Sequence, residues 1–218
     1  QCILVVVSTE SRGAALRIFR VLNDRGLDLS NADVIKADLL ERFTDEGELA
    51  HHAELWRQWE NDLGRDSFEG LLETLRFIKE QEKNRRALSD AYQERFKDAD
   101  AQAVRDFFQR ELAPAKEMYS KILDADTQQF PADLQSRVSE ALVGLGLLPN
   151  KDWVPSALAA YLKFCFTEKL VDLLERLEGI AWAMQLARRY DTQRLNRYVQ
   201  VLKGLHGSDD VLQAAMAL

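Results

Sequence analysis

Phe19-Arg20-Val21-Leu22-Asn23-Asp24-Arg25-Gly26-Leu27-Asp28-Leu29-Ser30-Asn31-Ala32-Asp33-Val34-Ile35-Lys36 carries the end of one helix, a glycine reversal and the start of another. Ala14, Leu16, Ile18, Phe19, Val21 and Leu22 recur at helical spacing and stop at Asn23. Gly26 can take the positive φ that closes a helix at its C-terminal end. Ser30 then caps the next helix, and Asp33 completes an S-x-x-D start, a relative of the capping box. Val34, Ile35, Leu39 and Leu40 form the apolar face of that helix, while Phe19, Leu22, Leu27 and Leu29 anchor the reversal. On this reading every residue of the stretch has a structural task. The same residues also support a polar site. Asn23 and Arg25 offer donors suited to phosphate or a base edge. The amides at the start of the helix favour an anion, and Asp24 or Asp33 could help to hold a divalent cation.

Upstream of this stretch, Gln1-Cys2-Ile3-Leu4-Val5-Val6-Val7-Ser8 is short, continuous and β-branched, which predicts a buried strand. A buried strand needs partners for its backbone groups. With no initiator Met, the expectation is a segment of a longer protein whose other strands lie upstream. The opening run is too short to span a membrane and has no basic flank, so it is not read as a signal peptide.

Downstream the pattern is helical almost throughout. Leu55, Trp56 and Trp59 place a helix over 51–63, and Phe68, Leu71, Leu72, Leu75 and Ile78 form an amphipathic stripe. Residues 79–99 are highly charged and predict a helix end, an exposed connection and a short helix around Tyr92 and Phe96. A longer stripe runs from Val104 to Ile122 with Pro114 inside it, so that helix is kinked or restarts there. Pro131 opens the next helix, which ends near Gly144-Leu145-Gly146. An apolar helix over 153–166 follows, then helices over 170–190 and 192–205, and a short last one from Ser208. The predicted fold is therefore mainly α, a multi-helix domain over residues 44–218. An N-terminal strand–helix remnant of a truncated α/β core occupies residues 1–43.

Apolar residues make up 46% of the chain, enough for a sizeable core. The net charge of −7 is unevenly placed. Residues 37–70 hold ten acidic side chains against three arginines, whereas Arg188, Arg189, Arg194, Arg197 and Lys203 face only Asp191 over residues 186–203. An acidic chain argues against broad nonspecific nucleic-acid binding but leaves room for a local basic surface. Arg194 and Arg197 are its candidate DNA contacts, set against the plainer reading of a solvated helix face. Cys2 and Cys165 read as two buried, reduced thiols of a cytoplasmic protein. His51, His52 and His206 have no metal-ligand spacing, and adjacent His51 and His52 point in different directions on a helix. Trp56, Trp59, Met118, Trp153 and Trp182 fall on apolar faces and read as core.

The 18–36 run resembles the second signature of the GmrSD-type restriction endonuclease N-terminal family. That pattern is a Phe, then Asn and Gly, then a Leu and an Asp leading into a helix, here Phe19, Asn23, Gly26, Leu29 and Asp33. The resemblance covers under a tenth of the chain. It implies a ParB-like, nucleotide-hydrolysing core followed by a helical region, with the 1–43 segment as the end of that core. It assigns Asn23, Arg25 and Asp33 to a nucleotide site, with a nucleoside triphosphate and a divalent cation as cofactors of the whole protein. The family's first signature, an Asp-Gly-Gln-Gln-Arg run, is absent and would lie upstream of Gln1. The HNH-type nuclease domain of many members would lie beyond Leu218. The implied function is nucleotide-dependent, modification-dependent DNA restriction in phage defence. The segment itself is expected to lack complete catalytic motifs, to carry no cofactor or metal alone, and to be inactive by itself. Its expected partners are the upstream core, the downstream nuclease domain and DNA, without a membrane. The rival reading is a non-enzymatic helical protein- or DNA-interaction module, for which charge reversal at Arg194 and Arg197 would abolish binding.

Overall fold

The computed structural model describes residues 30–82 and 86–207. The predicted strand over 1–8, the helix ending at Asn23, the Gly26 turn and the helix from Ser208 lie outside the described residues. Within them the protein is mainly helical, with no strand. The elements are α1 (Asn31–Leu40), α2 (Glu46–Leu63), α3 (Arg65–Glu80), α4 (Leu88–Arg95), α5 (Ala101–Asp106), a wide π turn (Phe107–Leu112), α6 (Ala113–Asp124), α7 (Gln135–Gly146), α8 (Val154–Phe164), α9 (Glu168–Leu186) and α10 (Asp191–Gly207).

Local chemistry sets most of the boundaries. Ser30 caps α1 in a full capping box: its Oγ accepts from the Asp33 amide, and the Asp33 carboxylate accepts from the Ser30 amide. Helix α2 starts at Glu46, earlier than the tryptophan spacing indicates. The Asp45 carboxylate accepts from the Glu48 amide at 2.8 Å, and Glu46 and Glu48 favour the positive helix start. Gly64 separates α2 from α3 at φ +78° and ψ 152°, a conformation nearly exclusive to glycine. Pro131 does not open α7. A turn from Pro131 to Leu134 precedes it, and the helix begins at Gln135.

Pro114 neither breaks the long helix nor restarts it from a loop. Proline has no amide hydrogen and crowds the preceding turn, and the helix meets this by widening just before it. The Ala113 amide reaches back five residues to the Phe108 carbonyl. The wide turn lets two consecutive phenylalanines be buried. Phe107 packs edge-on against Tyr92 and Phe96, while Phe108 meets His52, Trp56 and Trp59.

Helices α3 and α8 organise the packing. The first meets α1, α2, α4, α6 and α8; the second meets α3, α6, α9 and α10. Phe68, Leu71, Leu72 and Leu75 of α3 are buried at the intervals their spacing predicts. Ala32, Ile35, Leu39, Leu40 and Phe43 belong to the same continuous core as Trp56, Tyr161 and Leu202. Helices α7 and α9 run side by side through a close approach at Gly144. A Cβ there would lie 1.9 Å from Glu178 Oε1, and Trp182 Nε1 donates to the Gly144 carbonyl at 3.1 Å. Arg137 of α7 adds a fork to Glu175 and Asp172 of α9.

Candidate functional site

The polar residues at the head of α1 are already engaged with one another. Asp33 Oδ2 accepts from the Ser30 amide, from Ser30 Oγ at 2.9 Å and from Arg65 Nη2 at 2.5 Å. Asn31 donates to Glu69 at 2.8 Å and accepts from the Ser89 amide, which joins α1 to α3 and to the start of α4. Asp33 therefore has a complete structural task. Asn23 and Arg25, the other two residues assigned to a nucleotide site, lie outside the described residues.

The basic run over 186–203 separates into residues with different surroundings. Arg194 is a joint. Its Nε donates to Asp152 at 2.8 Å, Nη1 to the Arg189 carbonyl and Nη2 to Asp191, leaving 15% of the side chain exposed. The Asp152 carboxylate bonded to it holds the guanidinium even more firmly charged than usual, with Asp191 adding to the effect. These bonds lock the corner between α9 and α10 onto the loop before α8. Arg188 and Arg189 stand exposed at that corner, with Arg188 at φ +50°. Arg189 and Arg197 share a shallow groove of about 620 Å³ with Gln193 and Asn196. No ion pair engages Arg188, Arg189 or Arg197 among the described residues.

A second concavity, about 900 Å³, lies between α3, the start of α4 and α10. Arg76, Gln81, Arg86, Asn196, Gln200 and Lys203 bring donors to it, and Glu80 and Glu82 bring carboxylates. The Gln81 side-chain nitrogen lies 3.0 Å from His206 Nδ1 and ties the end of α3 to the end of α10. Motif spacing does not single out Arg76, although the sequence carries a signal for it. Phe68, Leu72 and Arg76 recur every four residues, so a charge occupies a core-facing position of the α3 stripe.

His52 is buried, stacks on Phe43 and has its Nδ1 2.8 Å from the Glu48 carbonyl; His51 is exposed beside it. Glu48 and His51 have Glu-x-x-His spacing, and Glu48 accepts from Arg105 Nη1 through both carboxylate oxygens. No group of three potential metal ligands occurs among the described residues. Cys165 corrects an expectation: it is exposed rather than buried, because it ends α8 at φ +50° where the chain turns outward towards α9. Cys2 lies outside the described residues. No described helix is long and apolar enough to cross a membrane.

Comparison with protein-family models, with curated proteins and with solved structures finds no match to this chain.

Proposed function

We propose that this chain is the helical region of a nucleotide-dependent, modification-dependent DNA restriction protein, and that its α9–α10 corner meets DNA phosphates. The single observation that supports the DNA part is the groove holding Arg189 and Arg197 beside Gln193 and Asn196, next to exposed Arg188, with no carboxylate paired to these arginines among the described residues. Guanidinium groups that keep their donors available suit phosphate oxygens, and side-chain amides can hydrogen-bond to backbone or base. Arg194 takes no part in this interface. It holds the corner in shape, so reversing its charge would test the fold rather than the DNA surface.

Anisotropy titrations of labelled duplex DNA, repeated from 50 to 200 mM salt, test the reading. Replacing Arg189 and Arg197 together by Glu is expected to weaken binding at least tenfold. The log–log salt slope should fall by about 2, close to one unit for each phosphate that is no longer neutralised. Binding that is unchanged in affinity and salt slope would sink the DNA assignment. The nucleotide part rests on the resemblance over residues 18–36, with a nucleoside triphosphate, a divalent cation, Asn23 and Arg25 in the whole protein and Asp33 as the adjacent helix cap. Asn23→Ala in the whole protein should abolish nucleotide turnover while leaving its circular-dichroism melting curve in place.

A second reading, a helical module that binds another protein, draws on exposed apolar residues, two of them at the same α9–α10 corner. Val143 and Leu147 at the end of α7 and Leu186 and Tyr190 at the end of α9 are exposed large apolar residues. The Trp182–Gly144 bond shows that these two helices are neighbours there.

A further inference from the structure

We infer that the cleft between α3, α4 and α10 binds an oxyanion, the phosphate or carboxylate group of a small ligand, with Arg76 as its central donor. The inference does not rest on DNA binding at the α9–α10 corner, although Asn196 lines both concavities.

Arg76 is 5% exposed, which for an arginine requires compensation. The described residues supply little. Nη1 donates to the Arg86 carbonyl at 3.2 Å, Nε is buried without an acceptor, and no ion pair engages the guanidinium. Its neighbours in the fold show what compensation looks like. Arg95, on the next helix, also has a buried nitrogen without an acceptor, Nη1, yet its Nη2 donates to both oxygens of Glu111 at 2.6 Å and the guanidinium lies over the rings of Phe96 and Phe107. Arg194 has Asp152 and Asp191. Arg76 has a concavity instead of a carboxylate.

The walls of that concavity suit an anion carried on a polar body. Arg86 and Lys203 add two cations, and Asn196 and Gln200 add amides on α10. Glu80 and Glu82 line it as well, so it is not a uniformly positive channel. Two carboxylates repel an extended polyanion such as duplex DNA. They are compatible with a ligand that offers one oxyanion to Arg76 and hydrogen-bond donors elsewhere. The preferred ligand class is therefore a small phosphorylated or carboxylated molecule.

Thermal denaturation of the full 218-residue chain tests this with two probes, inorganic phosphate and acetate, each against chloride at matched ionic strength. The expected result is a saturable rise in the melting midpoint of about 5 °C or more at a hundredfold excess over half-saturation. A response to phosphate alone identifies a phosphate site; an equal response to acetate identifies a general carboxylate and phosphate site. Arg76→Met, which keeps the length of the side chain without its charge, should abolish the response without lowering the midpoint measured in chloride. Lys203→Gln, on an exposed residue that folding does not need, should raise the half-saturating concentration at least threefold, and it gives a reading even where Arg76→Met does not fold. The proposal fails if neither anion shifts the midpoint beyond chloride, if Arg76→Met responds as the unaltered chain does, or if Lys203→Gln leaves half-saturation unchanged.

Discussion

Arg194 and Arg76 occupy opposite situations that their sequence contexts invert. Arg194 sits in a run of cations and looks like a nucleic-acid contact. In the fold it donates to two carboxylates and a carbonyl and holds a corner together. Arg76 sits at a core-facing position of a leucine-rich stripe, and it is buried, has no carboxylate paired to it among the described residues, and opens on a polar cleft. An arginine whose counter-charges come from its own fold is joinery. An arginine that is buried without one marks a place where a ligand can supply the charge.

The sharpest way to break this contrast is to remove each arginine in turn. Arg194→Ala should cost about 2 kcal/mol in urea denaturation, because it unties the corner and strands the half-buried Asp152. Arg76→Met should cost nothing or stabilise by about 1 kcal/mol in chloride buffer without phosphate or acetate, because the variant no longer buries a charge that has no paired carboxylate. Equal losses for both variants would erase the distinction.

Gly64→Ala separates helix stability from the cleft. A Cβ at Gly64 meets nothing within 4 Å, so the cost is purely that of the backbone conformation. A loss of about 1–2 kcal/mol is expected. The anion response should be unchanged, since Gly64 starts the helix on which Arg76 lies about three turns further along.

The smallest effect concerns the tyrosines beside the two arginines. Tyr92 and Tyr198 are almost fully buried, and desolvation pushes both phenols well above their ordinary range, against smaller opposing effects from Arg95 and Arg76 at the first and from Arg194 at the second. A phenol raised in the folded state stabilises the fold fully below its unfolded value near pH 10, and that contribution is lost as pH rises towards the folded value. Each tyrosine should therefore cost about 0.8 kcal/mol at pH 10.5 relative to pH 8. Urea denaturation of Tyr92→Phe and Tyr198→Phe should each show a shallower alkaline decline. A decline of undiminished steepness would show that the phenols do not titrate as described.

The legible parts of the sequence were those whose signals are local. The Ser30 and Asp33 cap, the α3 stripe and the apolar placement of Trp56 and Trp153 follow from spacing along one helix. The start of α2 was within reach of the same reasoning, since Asp45, Glu46 and Glu48 carry a cap and a favourable first turn. The Pro114 region was only partly legible, because a proline signals a disturbance without choosing between a kink, a restart and a wide turn. The choice depends on what the displaced side chains can pack against, and Phe107 and Phe108 found separate aromatic clusters. The basic run was legible as charge but not as interface. Asp152 lies far from Arg194 in sequence and reaches it only because α8, α9 and α10 pack together.

By itself, the sequence determined the helical class, the apolar faces and the cap of α1, because these depend on residues within a turn or two of one another. It also determined an uneven distribution of charge along the chain. Tertiary structure alone decided which charges are spent within the fold and which remain to be met from outside. The free energy of a charged group depends on the partners and solvent around it, and packing brings those partners from distant parts of the chain. Asp33 and Arg194 were satisfied in that way; Arg76 was not.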